Sequence, residues 1–289
     1  MKHYIKKFLP PQLLAFIRDI FYPEKINILE ERLGNLFLTY YQGIADPNLS
    51  QKIAFKNAEF KVYSKHGGDG ILALIFSKIG MTNCIFVEVG VEDGTECNTA
   101  NLSRNFGWNG LLIDANEEWV KRARDFYQEY KVKVAACLVT AENINQLLQD
   151  NGIGGEIDLL SIDIDGNDYW VWEAINVINP RVVVMEYNTA MGHRSLTIPY
   201  NPARRYQNDF YYGASLRALS KLAIKKGYNL VACDSHGLDA FFVRRDVAQG
   251  KFREVSPEEA FYHNPYTLKR FGSLEEQFSQ IKHLDFEEI

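Results

Sequence analysis

Between Cys84 and Arg245 the chain alternates short apolar runs with amphipathic stretches, and that alternation leaves few folds open. The runs are CIFVEVG (84–90), GLLIDA (110–115), VKVAACLV (132–139), IDLLSIDID (157–165), RVVVMEYN (181–188), YNLVACD (228–234) and AFFVRR (240–245). Near-continuous apolar strands separated by helices imply a parallel sheet covered on both faces. Asn116 opens a helix over NEEWVKRARDFYQEY, with Glu117 and Glu118 in its first turn, where they suit the helix dipole. Another helix is expected over Gly213–Lys226, and an apolar one over Ile71–Ile79 ending at Gly80. The last two strands are separated only by SHGLD. Five residues cannot hold a parallel crossover, so this pair must be an antiparallel hairpin. The expected fold class is α/β: a Rossmann-like sheet of seven strands, mostly parallel with an antiparallel last strand, as opposed to an all-parallel dehydrogenase domain.

Helical extensions flank this core. In residues 1–60, Ile26, Leu29, Leu33, Leu36 and Phe37 recur at three- and four-residue steps and form one apolar stripe. After about Gly250, Ser256-Pro257-Glu258-Glu259 and Ser273-x-x-Glu276 read as capping boxes. The expected organisation is a helical extension over 1–60, a core domain over 61–250 and a helical tail over 251–289. Lys2, Lys6 and Lys7 precede the apolar LPPQLLAFI, which Pro10–Pro11 interrupts and which is too short to span a bilayer. Residues 1–22 therefore read as an amphipathic surface helix, docked on the protein's own core or resting on an anionic membrane face. The four cysteines form no CxxC pair and read as reduced thiols, consistent with a cytoplasmic protein, including one at the inner face of the membrane. A net charge of −5 argues against nucleic acid as a partner, because phosphate binding needs a basic surplus.

In open α/β sheets, ligands bind beyond the carboxyl ends of the strands. The first strand runs into FVEVGVEDGTECNT (86–99), where Gly90 and Gly94 frame the turn Val91-Glu92-Asp93. This is not GxGxxG. A dinucleotide sets a pyrophosphate against bare backbone N–H groups at that turn. Here Glu88, Glu92, Asp93 and Glu96 would repel one. They suit a ligand with an ammonium and a sulfonium but no phosphate, which describes S-adenosylmethionine. The second strand ends at Asp114, 24 positions past Gly90, where a doubly wound fold places an acid on a ribose diol. Asn116 lies beside it; helix capping is the other reading of Asp114.

A second acidic group follows in DLLSIDIDGND (158–168). On a continuing strand Ser161, Asp163 and Asp165 share one face, and Asp168 then opens a helix. The next strand ends in Glu186-Tyr187-Asn188. Three readings stay open. Asp163, Glu186 and Asn188 form an oxygen-rich set suited to Mg2+ or another divalent cation that lowers an acceptor hydroxyl's pKa. Asp163 and Asp165 act directly as general base and cofactor contacts. Or the acids serve turns and caps. The following stretch, TAMGHRSLTIPYNPARRYQNDFYY (189–212), is long for a loop in a compact domain. It offers His193 as a general base or a surface residue, and Arg194, Arg204 and Arg205 as contacts to phosphate or carboxylate or as surface ion pairs. Its tyrosines offer stacking faces for sugars.

Six blocks in order resemble a known family. They are YSKHGGDGIL, FVEVGVEDGTECNT with GWNGLLIDAN, LLSIDIDGNDYWVWEAI, VVVMEYN, YYGASLRALSKLAIKKGY and DAFFVRR. From Tyr63 to about Asp246 the chain resembles the FkbM-like S-adenosylmethionine-dependent methyltransferases, in particular bacterial members associated with surface polysaccharide synthesis. The resemblance implies a methyltransferase sheet with cofactor contacts at Glu88, Gly90, Asn98, Thr99, Asp114 and Asn116, in addition to Asp93 of the acidic turn. It also implies Ser64 and Lys65 at the methionine end. The chain departs from the family pattern at His66, where an aromatic is usual, and at Asp163-Ile164-Asp165-Gly166, where many members read D-x-E-G. The expected activity is O-methyl transfer to a hydroxyl of a small-molecule, sugar or glycan-type acceptor. The alternatives are a non-catalytic module in glycan assembly and a nucleotide-sugar or NAD(P) enzyme.

Overall fold

The structure, a computed structural model, describes residues 49–204 and 210–289. The helical stripe and the basic apolar segment expected within residues 1–48 lie outside the described residues, as does Arg205.

Helices α1 (Gln51–Ala58) and α2 (Gly68–Ile79) precede the sheet. Ser50 caps α1 by accepting from the Ile53 N–H, and Gly80 ends α2 at φ +69°. The sheet and its crossovers then follow in chain order: β1 (Ile85–Val89), α3 (Ala100–Phe106), β2 (Asn109–Asp114), α4 (Glu117–Phe126), β3 (Val132–Ala136), α5 (Ile144–Asp150), β4 (Gly155–Ile162), α6 (Asp168–Ala174) and β5 (Ile178–Glu186). As the sequence suggests, Asn116 caps α4, accepting from the Glu118 and Trp119 N–H groups. A short strand, β6 (Leu196–Thr197), α7 (Leu216–Lys226), β7 (Tyr228–Cys233) and β8 (Asp239–Arg244) complete the core.

The seven long strands form one sheet in the order β3-β2-β1-β4-β5-β8-β7. All pairings are parallel except those of β8, which runs antiparallel to both β5 and β7. The Rossmann-like, mostly parallel sheet expected from the alternation is therefore present, with the last strand reversed. That strand inserts between β5 and β7 rather than lying at the edge. The insertion has a chemical consequence: an antiparallel strand begins where its parallel neighbours end. Asp239 at the start of β8 is thus paired with Glu186 at the end of β5.

The central strands are apolar on both faces, as burial between helical layers requires. Trp172 of α6 packs against Tyr228 and Phe242, with ring centroids 5.9 and 5.2 Å away. At the amino edge of the sheet, Asp158 is fully buried and ion-paired with Arg181 at 2.7 Å. Its carboxylate also accepts from the N–H groups of Thr82, Asn83 and Cys84. Arg181 in turn donates to the Ile79 and Gly80 carbonyls that end α2.

After β8 come α8 (Arg245–Ala248), α9 (Pro257–Ala260), α10 (Pro265–Phe271), α11 (Leu274–Ser279) and β9 (Glu287–Glu288). The Ser273–Glu276 capping box is complete. The one at Ser256 is half made: Ser256 accepts from the Glu259 N–H, but the Glu259 carboxylate turns to Arg253. Strand β9 pairs antiparallel with β6, which ties the chain's end to the segment following β5. All four cysteines are free. Among the described residues no helix is long and apolar enough to cross a membrane.

Candidate active site at the carboxyl edge of the sheet

The loops leaving β1, β2, β4 and β5 meet the start of β8 along one edge and enclose two adjoining cavities. One, of about 160 Å3, is lined by residues that include Lys65, His66, Glu88, Asn98, Glu186 and Asp239. The other, of about 410 Å3, includes Asp114, Trp119, Leu138, Asp165, Asn167 and Arg204. Lys65, Gly90, Glu92 and Asp163 border both.

The turn after β1 is shaped by contact with β4. Gly90 has φ +84°, and a Cβ there would lie 1.6 Å from the Asp163 carbonyl oxygen. Only glycine meets both demands. Glu92 also adopts a positive φ, 51°, and its N–H donates to Asp114 Oδ2 at 2.8 Å. The other Asp114 oxygen accepts from the Asn116 N–H. Asp114 thus fixes the turn after β1 and stands in the wall of the larger cavity.

The carboxylates of the acidic turn do different work. Glu88 is buried and accepts from the N–H groups of Asn98 and Thr99 and from the Thr99 hydroxyl, at 2.6 to 2.9 Å. It anchors the loop into α3, and burial still pushes its pKa up against those bonds. Asp93 closes a local turn on Thr95 and lines neither cavity. Glu96 pairs with Lys61 at 2.8 Å.

Further carboxylates of the cleft stand at the strand ends. Ligand oxygens of Asp163, Asp165 and Glu186 lie within 4.8 Å of one another. The face-sharing pattern expected for Ser161, Asp163 and Asp165 does not hold beyond Ile162, where β4 ends. Asp165 sits in the following turn at φ +51°. Asp168 performs the turn duty, accepting from the Ile164 and Gly166 N–H groups at 2.8 Å each. The carboxylates of Asp165 and Glu186 accept no hydrogen bond among the described residues.

Crowding sets the protonation of this group. Burial, with Asp163 and Asp168 nearby, pushes Asp165 up to about 7. Burial and the carboxylates of Asp163, Asp165, Asp168 and Asp239 hold Glu186 well above the usual range. Burial, Asp234 and Asp163 do the same for Asp239. Lys65 stands among them, 3.7 Å from Asp163 and 3.9 Å from Glu92. Burial lowers its pKa, but the surrounding carboxylates outweigh that and keep it charged.

Other residues singled out from the sequence lie elsewhere or serve the framework. Ser64 is buried and exchanges hydrogen bonds with Asp69 at the start of α2. Thr99 is bound to Glu88, and Asn116 caps α4. Asn188 is not in the carboxylate group: its amide donates to the Phe210 and Tyr212 carbonyls and its oxygen accepts from the Ala190 N–H. Asp165 takes the place expected for it in the oxygen-rich set. His193 is exposed, packs its ring 4.8 Å from Phe261 and lines neither cavity. Arg194 pairs with Glu275 through both carboxylate oxygens and covers the Phe278 ring. Arg204 borders the larger cavity, bonded to the Tyr211 carbonyl.

Asp239 and Trp119 are cavity residues that the sequence reading missed. The signal for Asp239 was present: once SHGLD is a hairpin, its last acid must return to the edge where Glu186 ends.

No family model matches the chain, and no curated protein matches it. Several solved structures are similar. An S-adenosylmethionine-dependent methyltransferase from Clostridium acetobutylicum ATCC 824 is 12% identical, over 73% of this chain and 99% of that one, with a TM-score of 0.41. The N-terminal domain of EvdMO1, solved in the presence of SAH and D-fucose, is 14% identical over 65% of this chain and 89% of that one, at 0.42. A putative O-methyltransferase from Klebsiella pneumoniae is 16% identical over 73% and 89% of the two chains, at 0.39. Likeness at this level does not extend to substrate or chemistry.

Proposed function

We propose that the chain is an S-adenosylmethionine-dependent O-methyltransferase of the FkbM-like type, acting on a hydroxyl of a sugar or glycan-type acceptor. One observation carries the reading. The cleft at the carboxyl edge gathers Glu88, Glu92, Asp163, Asp165, Glu186 and Asp239 around a single lysine. Such a wall opposes a pyrophosphate and attracts a compact cation. The donor fits this set of groups. Asp114 keeps lone pairs for a ribose diol, and the exposed face of Trp119 lies in the same cavity. The carboxylates of the smaller cavity suit an ammonium, and Lys65 suits a carboxylate.

When bound, the donor supplies an electrophilic methyl group. The chain's own residues orient the acceptor and take its hydroxyl proton. Asp165 is the best placed base: it is clear of hydrogen bonds, and a pKa near 7 suits proton abstraction at neutral pH. Asp163 stands beside it, 3.7 Å from Lys65. Calorimetric titration with S-adenosylmethionine tests the donor site. Binding in the micromolar range with none for NAD is expected; no binding at millimolar donor ends the reading.

The proximity of Asp163, Asp165 and Glu186 supports a second reading, in which these three hold a divalent cation that lowers the acceptor's pKa. Methyl transfer abolished by chelation and restored by magnesium distinguishes it from metal-free base catalysis.

A further inference from the structure

A second pocket lies away from the acidic cleft. Its volume is about 500 Å3, larger than either cleft cavity and within the range of ligand sites. Its walls come from α10, from the chain after α11 and from Phe210 and Tyr212. In a protein of net charge −5, no described carboxylate lines it. Its ionisable lining is Arg270, His283 and two tyrosines. Arg270 lies 5.0 Å over the Phe271 ring and is bonded to the Tyr266 hydroxyl; among the described residues it pairs with no carboxylate. Phe210 meets Phe271 edge to face at 4.8 Å, and Tyr266 is 62% exposed. The pocket thus offers flat apolar faces beside an oriented guanidinium, with Gln280 and Thr267 as neutral hydrogen-bonding groups.

We propose that this pocket binds an anionic sugar, phosphorylated or carboxylated, as the distal part of the acceptor. The aromatic faces suit the C–H surface of a pyranose ring. The guanidinium fork suits a phosphate or carboxylate in two-pronged fashion. A link to the cleft runs through Asn188, two residues beyond Glu186, whose amide holds the Phe210 and Tyr212 carbonyls at 2.7 and 2.9 Å. The basic recognition expected at Arg194 and Arg204 shifts to Arg270, since Arg194 is neutralised by Glu275 and Arg204 turns to Tyr211. The assignment to the acceptor rests on the methyl-transfer reading; the binding of an anionic sugar does not.

Saturation-transfer NMR on the full chain, with glucose 1-phosphate as probe, glucose as direct comparison and inorganic phosphate as competitor against the probe, tests the pocket. Transfer to the ring protons of glucose 1-phosphate is expected, with weaker binding of glucose and of phosphate alone. Arg270→Gln should weaken glucose 1-phosphate by about tenfold or more, as for loss of a charged hydrogen bond. Phe271→Ala should remove the ring-proton signal. Both variants should keep the parent's affinity for S-adenosylhomocysteine, measured on the same samples; if Phe271→Ala fails to fold by that measure, His283→Gln takes its place with a smaller loss expected. Absent transfer, equal binding of inorganic phosphate, or an unchanged Arg270→Gln overturns the proposal. Sugar binding without S-adenosylhomocysteine binding overturns the methyl-transfer reading alone, and the reverse overturns this pocket alone.

Discussion

Asp165 occupies a left-handed backbone position at φ +51° in the turn leaving β4. Aspartate and asparagine tolerate that region better than other non-glycine residues, because their short polar side chains bond locally. Asp165→Asn therefore removes the carboxylate while keeping the turn. Methyl transfer should fall by about 10²- to 10⁴-fold, the usual worth of a general base, with S-adenosylhomocysteine affinity retained. In the parent, kcat/KM should rise through about pH 7 as Asp165 loses its proton, and that limb should vanish in the variant. A variant that keeps both rate and limb moves the base elsewhere. Gly90 makes a different kind of demand. Gly90→Ala would set a methyl group 1.6 Å from the Asp163 carbonyl oxygen. The turn and the end of β4 must then separate, and calorimetry should show loss of donor binding together with a lower melting temperature.

At the scale of elements, the site depends on pairings set at the opposite edge of the sheet. Asp158 of β4 and Arg181 of β5 join those strands to the end of α2 and the turn into β1. Removing one member of a buried pair leaves the other uncompensated, at a cost of about 3–5 kcal/mol. Asp158→Ala should lower the denaturation midpoint accordingly, with donor affinity in the remaining folded protein unchanged; urea unfolding followed by circular dichroism measures it, and an unchanged midpoint would show the pair to be dispensable. The central strands were legible in the sequence because burial on both faces demands uninterrupted apolar runs; the edge strand β3, half-buried or exposed throughout, does not share that reason. The reversal of β8 was legible because five residues permit only a hairpin. The ending of β4 at Ile162 was not. The alternation of Ser161, Asp163 and Asp165 looks like continued strand, and what breaks it is the turn that Asp168 stabilises through the Ile164 and Gly166 N–H groups.

For the molecule as a whole, charge was legible by amount and in part by position: Glu88, Glu92 and Glu96 line the smaller cavity. The acidic turn pointed to a cationic ligand, yet Asp93 lines neither cavity, and Glu88 anchors the loop into α3 as it lines the smaller one. Glu92 and Glu96 of that turn do line the cleft, and Asp163, Asp165, Glu186 and Asp239 join them, brought together by three strands only in the folded sheet. That concentration has a thermodynamic sign. Unfolded carboxylates titrate near pH 4. In the fold, Asp165 is pushed up to about 7, Asp168 and Asp234 to about 6, and Glu186 and Asp239 well above the ordinary range. Between about pH 4 and pH 7 the folded chain therefore binds more protons than the unfolded one, and stability falls as pH rises through that window. Asp158, held below the ordinary range mainly by Arg181 and the backbone N–H groups against its burial, works the other way, and its contribution is lost only as pH falls below about 4. The ligand-free protein should melt highest near pH 4. A cation in the cleft replaces the missing protons, so S-adenosylmethionine should raise the melting temperature more at pH 8 than at pH 5.5. Scanning fluorimetry at both values reads the difference; equal shifts would mean that the donor does not sit among these carboxylates.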